Sequence, residues 1–382
     1  MSSMVTYEAF VDECIKIFRK RLDEISSAGQ PADMAWWFNC FATDTVALLS
    51  FSKRLGDLDK GEDVGELNKS LHSNLTYAVL VGIYSEMHRL IFGSMEKLSQ
   101  WGVSKGTPRG YIQGVVRQTV TERRKMRAAG EKPDIEKAFE EEENAPKDFA
   151  TKFLDANEQD ASRFTDLDVM SGLSSNVIAG ADTTAATLSG ILYWLLRYPK
   201  TLEKLRQEVD EGKAAGRLST PITFRQAQEL RYLQAVIQEA QRMHPAVGLP
   251  LERVVPAGGV QLCGYYFPEG SVVGVNAWVL HYDTGVFGPD AAEFRPERWL
   301  ESDAETLARM NHSHLPFGLG ARTCIGKNVS LLEMSKLLPE LVHNFNFELA
   351  GDLRSGKEWT VKNHWFVIPK SLDVAVSRRH EA

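Results

Sequence analysis

Apolar residues recur at helical spacing through most of the chain up to Pro245, after which the period changes to that of short strands. Residues 7–26, with Phe10, Cys14, Ile17, Phe18 and Leu22 on one face, predict an amphipathic helix, and Met34 to Phe51 predict a second, more apolar one. Residues 68–128 predict two or three more, broken near Gly93 and at Gly106-Thr107-Pro108. The basic cluster Arg123, Arg124, Lys125 and Arg127 reads as a solvated helix end. Residues 129–147, with Gly130, Pro133, the run Glu140 to Glu143 and Pro146, read as a polar connector. A long apolar segment then runs from Thr165 to Tyr198, opened by the capping-box pattern Thr165-Asp166-Leu167-Asp168 and closed by Pro199. Helices follow at 201–212 and 223–244, the latter ended by His244-Pro245. Beyond it, Gly259 to Cys263 and Ser271 to Val275 predict strands separated by Gly-Tyr-Tyr-Phe-Pro-Glu-Gly turn chemistry, and strand patterns return around Trp359 and Trp365. The expected class is mainly α with small β-sheets. One domain is expected, with a helical part over 1–245 that contains a long helix over 166–198, and a part with β segments over 246–382.

With 382 residues, 43% hydrophobic and 25% charged, the chain can bury a large core. A net charge of −7 without a basic stripe argues against a nucleic-acid partner. Cys14, Cys40, Cys263 and Cys324 are far apart, without the spacing of a zinc site or a disulfide scaffold. No apolar run reaches the ~20 residues of a membrane span, and the acidic start, with Glu8, Asp12 and Glu13, is unlike a signal peptide. No glycine-rich fingerprint for a flavin, nicotinamide or nucleoside triphosphate is present, so a redox activity here would draw its electrons from elsewhere.

The candidate chemistry centres on Phe317-Gly318-Leu319-Gly320-Ala321-Arg322-Thr323-Cys324-Ile325-Gly326. A metal-facing thiolate must be deprotonated, shielded from water and partly neutralised by donors. Gly318, Gly320 and Gly326 allow a tight loop with positive φ and close approach of a flat cofactor, and Phe317 is placed to cover the sulfur. The run Ile325 to Leu338 predicts a helix, which puts Cys324 at its N-terminus, where N–H groups favour an anion. Arg322 suits a carboxylate. The competing reading is a buried cysteine in a glycine-rich turn. Six fixed residues at this spacing arise by chance with a probability of ~10⁻⁵, which decides against it.

These residues resemble the haem-binding loop of the cytochrome P-450 superfamily at every fixed position from Phe317 to Gly326. Stretches such as Tyr7 to Asp12 and Phe51 to Gly56 resemble fungal secondary-metabolism members of the pisatin demethylase type. The resemblance implies haem b held by the Cys324 thiolate, an arrangement that is the family's known one, with Arg322 on a propionate.

Other positions gain meaning from it. Glu239 and Arg242, three apart on a predicted helix, share a face; the same spacing at Glu86/Arg89 and Glu203/Arg206 reads by default as surface ion pairs. The copy followed by His244-Pro245 and by Phe294 to Trp299 resembles the family's Glu-Arg-Arg network, with Arg298 as third member and a bracing role. Ala179-Gly180-Ala181-Asp182-Thr183-Thr184 resembles its oxygen-activation motif. As plain helix, Gly180 would permit close packing, Asp182 would face solvent and the threonines would bond back to the preceding turn. With a haem, Thr183 would face the iron, Asp182, about 100° round the helix, would relay protons from a wetter side, and Gly180 would leave room for oxygen and loosen the helix. Arg253 stands where the family often places a second propionate-binding arginine, and Val247, Gly248 and Leu249 would overhang the substrate. His281, His312 and His314 are expected to be ordinary histidines, since oxygen chemistry needs the second axial position open.

The resemblance implies a haem-thiolate monooxygenase that inserts one oxygen atom into an apolar small molecule, with electrons from NADPH-cytochrome P-450 reductase. It also implies residence at the endoplasmic reticulum membrane for the full-length family. Members normally begin with an anchor, a sheet and early helices bearing a Trp-x-x-x-Arg pair. Cys40, Phe41 and Lys105 stand four residues beyond Trp36, Trp37 and Trp101, so no such pair is complete and an N-terminally truncated chain is expected. Two alternatives stay open: a haem-thiolate isomerase or dehydratase, disfavoured by Asp182-Thr183, and a truncated, non-catalytic remnant.

Overall fold

A computed structural model describes residues 5–100, 108–133 and 147–379. Trp101, Lys105 and the run Glu140 to Glu143 lie outside them. The helices are α1 (Glu8–Ala28), α2 (Met34–Phe51), α3 (Leu67–Ile83), α4 (Pro108–Ala128), α5 (Phe149–Gln159), α6 (Asp166–Arg197), α7 (Pro199–Ala214), α8 (Arg231–Met243) and α9 (Lys327–Asn344), with shorter helical turns between them. The sheets are small and antiparallel. β9 (Asp373–Arg378) pairs with β1 (Ala32–Asp33) and β6 (Phe345–Leu349); β2 (Leu251–Val254) pairs with β5 (Val272–Val275), β3 (Val260–Leu262) with β4 (Tyr265–Phe267), and β7 (Val361–His364) with β8 (Phe366–Pro369). The class is the one expected, mainly α with small sheets.

The axis of the fold is α6. Thr165 Oγ1 accepts from the Asp168 N–H and the Asp168 carboxylate accepts from the Thr165 N–H, so the predicted capping box starts the helix. Along its length α6 meets α2, α4, α5, α7, α8, α9 and β8. Its N-terminal half joins a core with Leu67, Leu71, Ile112, Val116 and Leu154, and its C-terminal half joins the main core around Phe18, Phe38, Phe41 and Leu337. In α2, Asp33 Oδ1 accepts from the Ala35 and Trp36 N–H groups, which fixes where that helix begins.

Several expectations are corrected. Gly93 lies inside the helix His88–Gln100, and the break falls earlier, at the 3₁₀ turn Ser85–Met87. The single helix expected over 223–244 is split at Leu230 (ψ 92°), because Glu208 of α7 accepts from the Tyr232 and Leu233 N–H groups and caps a second helix there. The turn segment after Cys263 is half a hairpin: Cys263 (φ 49°) and Gly264 (φ 83°) adopt the left-handed conformation between β3 and β4. The basic cluster is solvated at Arg124 and Lys125, which are exposed, but not at Arg123. Arg123 is buried and donates to Asp148 (2.7 Å), Thr151 (2.9 Å) and the Phe51 carbonyl (2.6 Å), while Arg124 and Arg127 pair with Asp166, Asp155 and Glu158.

Candidate haem-thiolate site

The cysteine loop is closed by its own backbone. The Cys324 N–H donates to the Phe317 carbonyl (2.8 Å), and Gly318 (φ 69°) and Gly320 (φ 71°) take the left-handed conformation that the reversal needs. Gly326 departs from expectation: at φ −81° it is the N-cap of α9, and a Cβ there would make only an ordinary 3.8 Å contact with Cys324 Sγ. Cys324 therefore precedes the α9 N-terminus by two residues, as predicted, in the partial positive field of that helix. Its side chain is exposed, as are Arg322 and Ile325.

A cavity of about 230 Å³ brings the two motifs together. It is lined on one side by Phe317, Gly318, Arg322 and Cys324, and on the other by Ala179, Thr183 and Thr187, an i, i+4, i+8 stripe of α6. Val247, Leu249, Leu251, Met334 and Phe366 give it an apolar wall. Of the residues expected to overhang it, Val247 and Leu249 do; Gly248 is bonded into the β7–β8 turn, donating to the Trp365 carbonyl. Arg253 shares the face of β2 with Leu251 but is exposed, and its Nη1 donates to the Glu252 carbonyl, away from the cavity lining. Sequence reasoning missed Ser330, whose hydroxyl meets Thr184 Oγ1 at 3.1 Å and ties α9 to α6, as well as Met334 and Phe366.

The α6 motif divides between the two readings. The Thr183 hydroxyl lines the cavity yet donates to the Ala179 carbonyl (2.6 Å), the back-bond of the plain-helix reading. Gly180 faces α2: a Cβ there would meet Val46 Cγ2 at 2.7 Å, so its smallness serves helix packing, and α6 runs through it as unbroken α-helix. Asp182 points away from the cavity as the helical period requires, but into the protein and not to a wet surface. Its side chain has no exposure, and Oδ1 takes Asn39 Nδ2 (2.9 Å) and His72 Nε2 (3.2 Å), while Oδ2 is buried without a partner. His72 had no local signal in sequence, because the contact spans 110 positions.

The Glu-x-x-Arg copy singled out by context is the buried one. Glu239 accepts from Arg242 Nε and Nη2 (2.9 and 2.8 Å), Arg298 Nε (2.9 Å), Trp299 Nε1 (2.8 Å) and the Arg295 N–H (3.0 Å). The guanidinium groups also donate to carbonyls, those of His281, Ala291 and Glu293 for Arg242 and of Phe287, Asp290 and Glu293 for Arg298, and Arg298 Nη1 donates to the Asp290 carboxylate (3.1 Å) as well. Arg206 of the competing copy donates instead to the Phe345 carbonyl. The network reaches the cysteine loop through His281: its Nδ1 meets the Arg242 carbonyl (3.0 Å), and its Nε2 accepts from the Leu315 N–H (2.8 Å), two residues before Phe317. Burial drives the His281 pKa down to about 4 and that of His314 well below the usual imidazole value, which keeps both neutral; neither lines the cavity, and His312 is exposed.

Among the described residues no cluster of three or more His, Cys, Asp or Glu is placed to hold a metal ion. A single sulfur ligand at the mouth of an apolar cavity fits a metal that brings its own equatorial ligands in a flat ring, and the Arg322 cation beside it fits carboxylate substituents on that ring. No helix among the described residues is long and apolar enough to cross a membrane.

A long helix crossing a mainly helical domain, opposed by a cysteine loop braced by a buried Glu-Arg-Arg network, defines a haem-thiolate protein. Residues 1–371 match the cytochrome P-450 family profile, and the chain belongs to that family. It is similar to a cytochrome P-450 monooxygenase of Aspergillus terreus, 36% identical over 91% of this chain and 68% of that protein. It is similar also to the cytochrome P-450 monooxygenase cicH of Emericella nidulans, 35% identical over 100% and 72%, and to a pisatin demethylase of Fusarium vanettenii, 34% identical over 99% and 69%. The chain is thus an oxidoreductase of the monooxygenase type, in a family that carries haem ligated by a cysteine thiolate.

Proposed function

We propose that this protein is a fungal secondary-metabolism monooxygenase that inserts one oxygen atom of dioxygen into an apolar small molecule, using electrons from NADPH-cytochrome P-450 reductase. The observation that carries the reading is the cavity shared by Cys324 and Thr183, part of whose wall is the apolar set Val247, Leu249, Leu251 and Phe366. Haem b, held by Cys324 Sγ, would supply the redox centre at which dioxygen is activated. Phe317 and the Gly318 and Gly326 backbone would lie against the ring, Arg322 would pair with a propionate, and Arg253 would reach the other by giving up its bond to the Glu252 carbonyl.

The chain's own groups then manage protons and water. Thr183 Oγ1, released from the Ala179 carbonyl, would hold a proton at the cavity wall, and Asp182, one residue earlier and about 100° round α6, would resupply it. The apolar wall of Val247, Leu249 and Phe366 orients a hydrophobic substrate and excludes bulk water. Residence at the endoplasmic reticulum membrane belongs to the same proposal.

The test is turnover under ¹⁸O₂ with the reductase and NADPH, across a panel of apolar substrates that includes pisatin. One labelled atom in the product supports the reading. Product formed without NADPH or dioxygen points to an isomerase or dehydratase instead.

A further inference from the structure

His72 of α3 stands between two cavities. An inner one, of about 100 Å³, is lined by Asp182, Asn39 and Asp33; an outer one, of about 320 Å³, is lined by Thr76, Lys362 and His364. The imidazole borders both. Its side chain is 44% exposed, whereas that of Asp182 is 0% exposed, so the ring is where solvent ends and the buried carboxylate begins. On the inner side, Asn39 Nδ2 (2.9 Å) and His72 Nε2 (3.2 Å) converge on Asp182 Oδ1, leaving Oδ2 a buried acceptor with no partner. A buried carboxylate oxygen in that state is an acceptor open to a proton delivered from the imidazole beside it. The residue after Asp182 is Thr183, which lines the cysteine's cavity on the far side of α6.

We propose that His72 is the proton-loading residue of Asp182, the outer end of a relay that runs from solvent through the imidazole and the buried carboxyl to the α6 motif. In each transfer the His72 Nε2–H bond breaks and an Asp182 O–H bond forms. The neutral imidazole keeps its Nδ1 proton, turns Nε2 toward the outer cavity and regains a proton there from a hydronium ion, which leaves as water, before turning back; no electron moves and one proton has gone inward. His72 touches neither substrate nor haem, so it is a positioning and supply residue acting through Asp182. The inference rests on the functional reading above, which makes the cavity of Thr183 the place where protons are consumed.

The electrostatic surroundings fit this duty. The hydrogen bond from Asp182 holds the His72 pKa above that of an ordinary imidazole, against the opposing effects of burial and of Lys362. Besides Asp182 of α6, the charged or titratable groups nearest the ring are Asp63 before α3, Lys362 and His364 of β7, and Lys370 after β8. His364 is engaged elsewhere, its Nδ1 meeting Thr76 Oγ1 at 2.9 Å. The upward shift favours the protonated ring, the form that can hand a proton to Asp182.

Two measurements decide. The first is the NMR titration of His72 in the purified chain, with and without Asp182→Asn. The relay requires the His72 pKa to fall by roughly one unit in the variant, as expected for loss of an adjacent charge; an unchanged pKa overturns it. The second compares product formed per oxygen consumed, across pH, in wild type, His72→Gln and His72→Arg. Arginine keeps the ion pair but cannot hand over a proton, so both variants should couple at least ~5-fold worse at pH 7 and lose the wild-type pH dependence, well within the reach of a lost acid–base group. If His72→Arg couples like wild type with the same pH profile, the histidine only fastens α3 to α6 and the relay is wrong. A wild-type enzyme that makes no oxygen-dependent product refutes the functional reading and the relay with it, even with the NMR shift present.

Discussion

Glu239 accepts five hydrogen bonds from four residues with its side chain fully buried, and the two arginines it neutralises are equally inaccessible. Removing the carboxylate leaves two buried guanidinium groups without their shared counter-charge, so Glu239→Gln should destabilise the fold by about 3–5 kcal/mol, read as a lower urea midpoint. The loss should loosen the cysteine loop as well, because Arg242 holds His281 and His281 holds Leu315. Thr183 is a different case. Its hydroxyl bonds only within its own helix, so Thr183→Ala should leave stability within ~0.5 kcal/mol. Under the proposed function that variant goes on consuming oxygen while product falls; unchanged coupling would remove Thr183 from the proton path.

At the scale of elements, α2 and α6 meet through Gly180 and Val46. Gly180→Ala drives a methyl into Val46 Cγ2, and the expected outcome is a loss of about 1–3 kcal/mol, with faster amide exchange in α2; a Val46→Ala partner substitution should restore part of it. Elements fixed by local chemistry were legible in the sequence. The α6 capping box, the limits of α2 and the reversal at Gly318 and Gly320 follow from residue types a few positions apart. Elements fixed by partners far along the chain were not. The split at Leu230 needs Glu208 of α7, the burial of Arg123 needs Asp148 across the connector, and the orientation of Asp182 toward His72 and Asn39 needs α2 and α3 in place. The same division holds in the site. Cys324, Phe317, Arg322 and Thr183 share one cavity as their motifs suggest, while Ser330, Met334 and Phe366 reach it only through the packing of α9 and β8.

For the whole molecule, buried imidazoles set the acid limb of stability. Burial holds both His244 and His281 at a pKa of about 4 in the folded state, whereas the unfolded chain titrates them as ordinary imidazoles, near 6.5. The unfolded state therefore binds more protons on the acid side. The contribution is fully present above pH 6.5 and is lost as pH falls from there toward 4. Urea midpoints should fall less over that window in His281→Gln than in the wild type; an identical pH dependence in the two would contradict the burial of that ring. Asp57 has the opposite sign, since burial raises its pKa to about 7 and its charged form opposes folding as pH rises through that value. Asp57→Asn should accordingly remove a fall in stability as pH rises from about 4 to about 7.

All of this places one sulfur opposite one hydroxyl across an apolar cavity, and the sulfur is the part most directly open to measurement. The carbon monoxide difference spectrum of the reduced, haem-loaded protein should show the family's red-shifted Soret band in the wild type and lose it in Cys324→Ala. A wild-type protein without that band, or a Cys324→Ala variant that retains it, would contradict the assignment of Cys324 as the axial ligand.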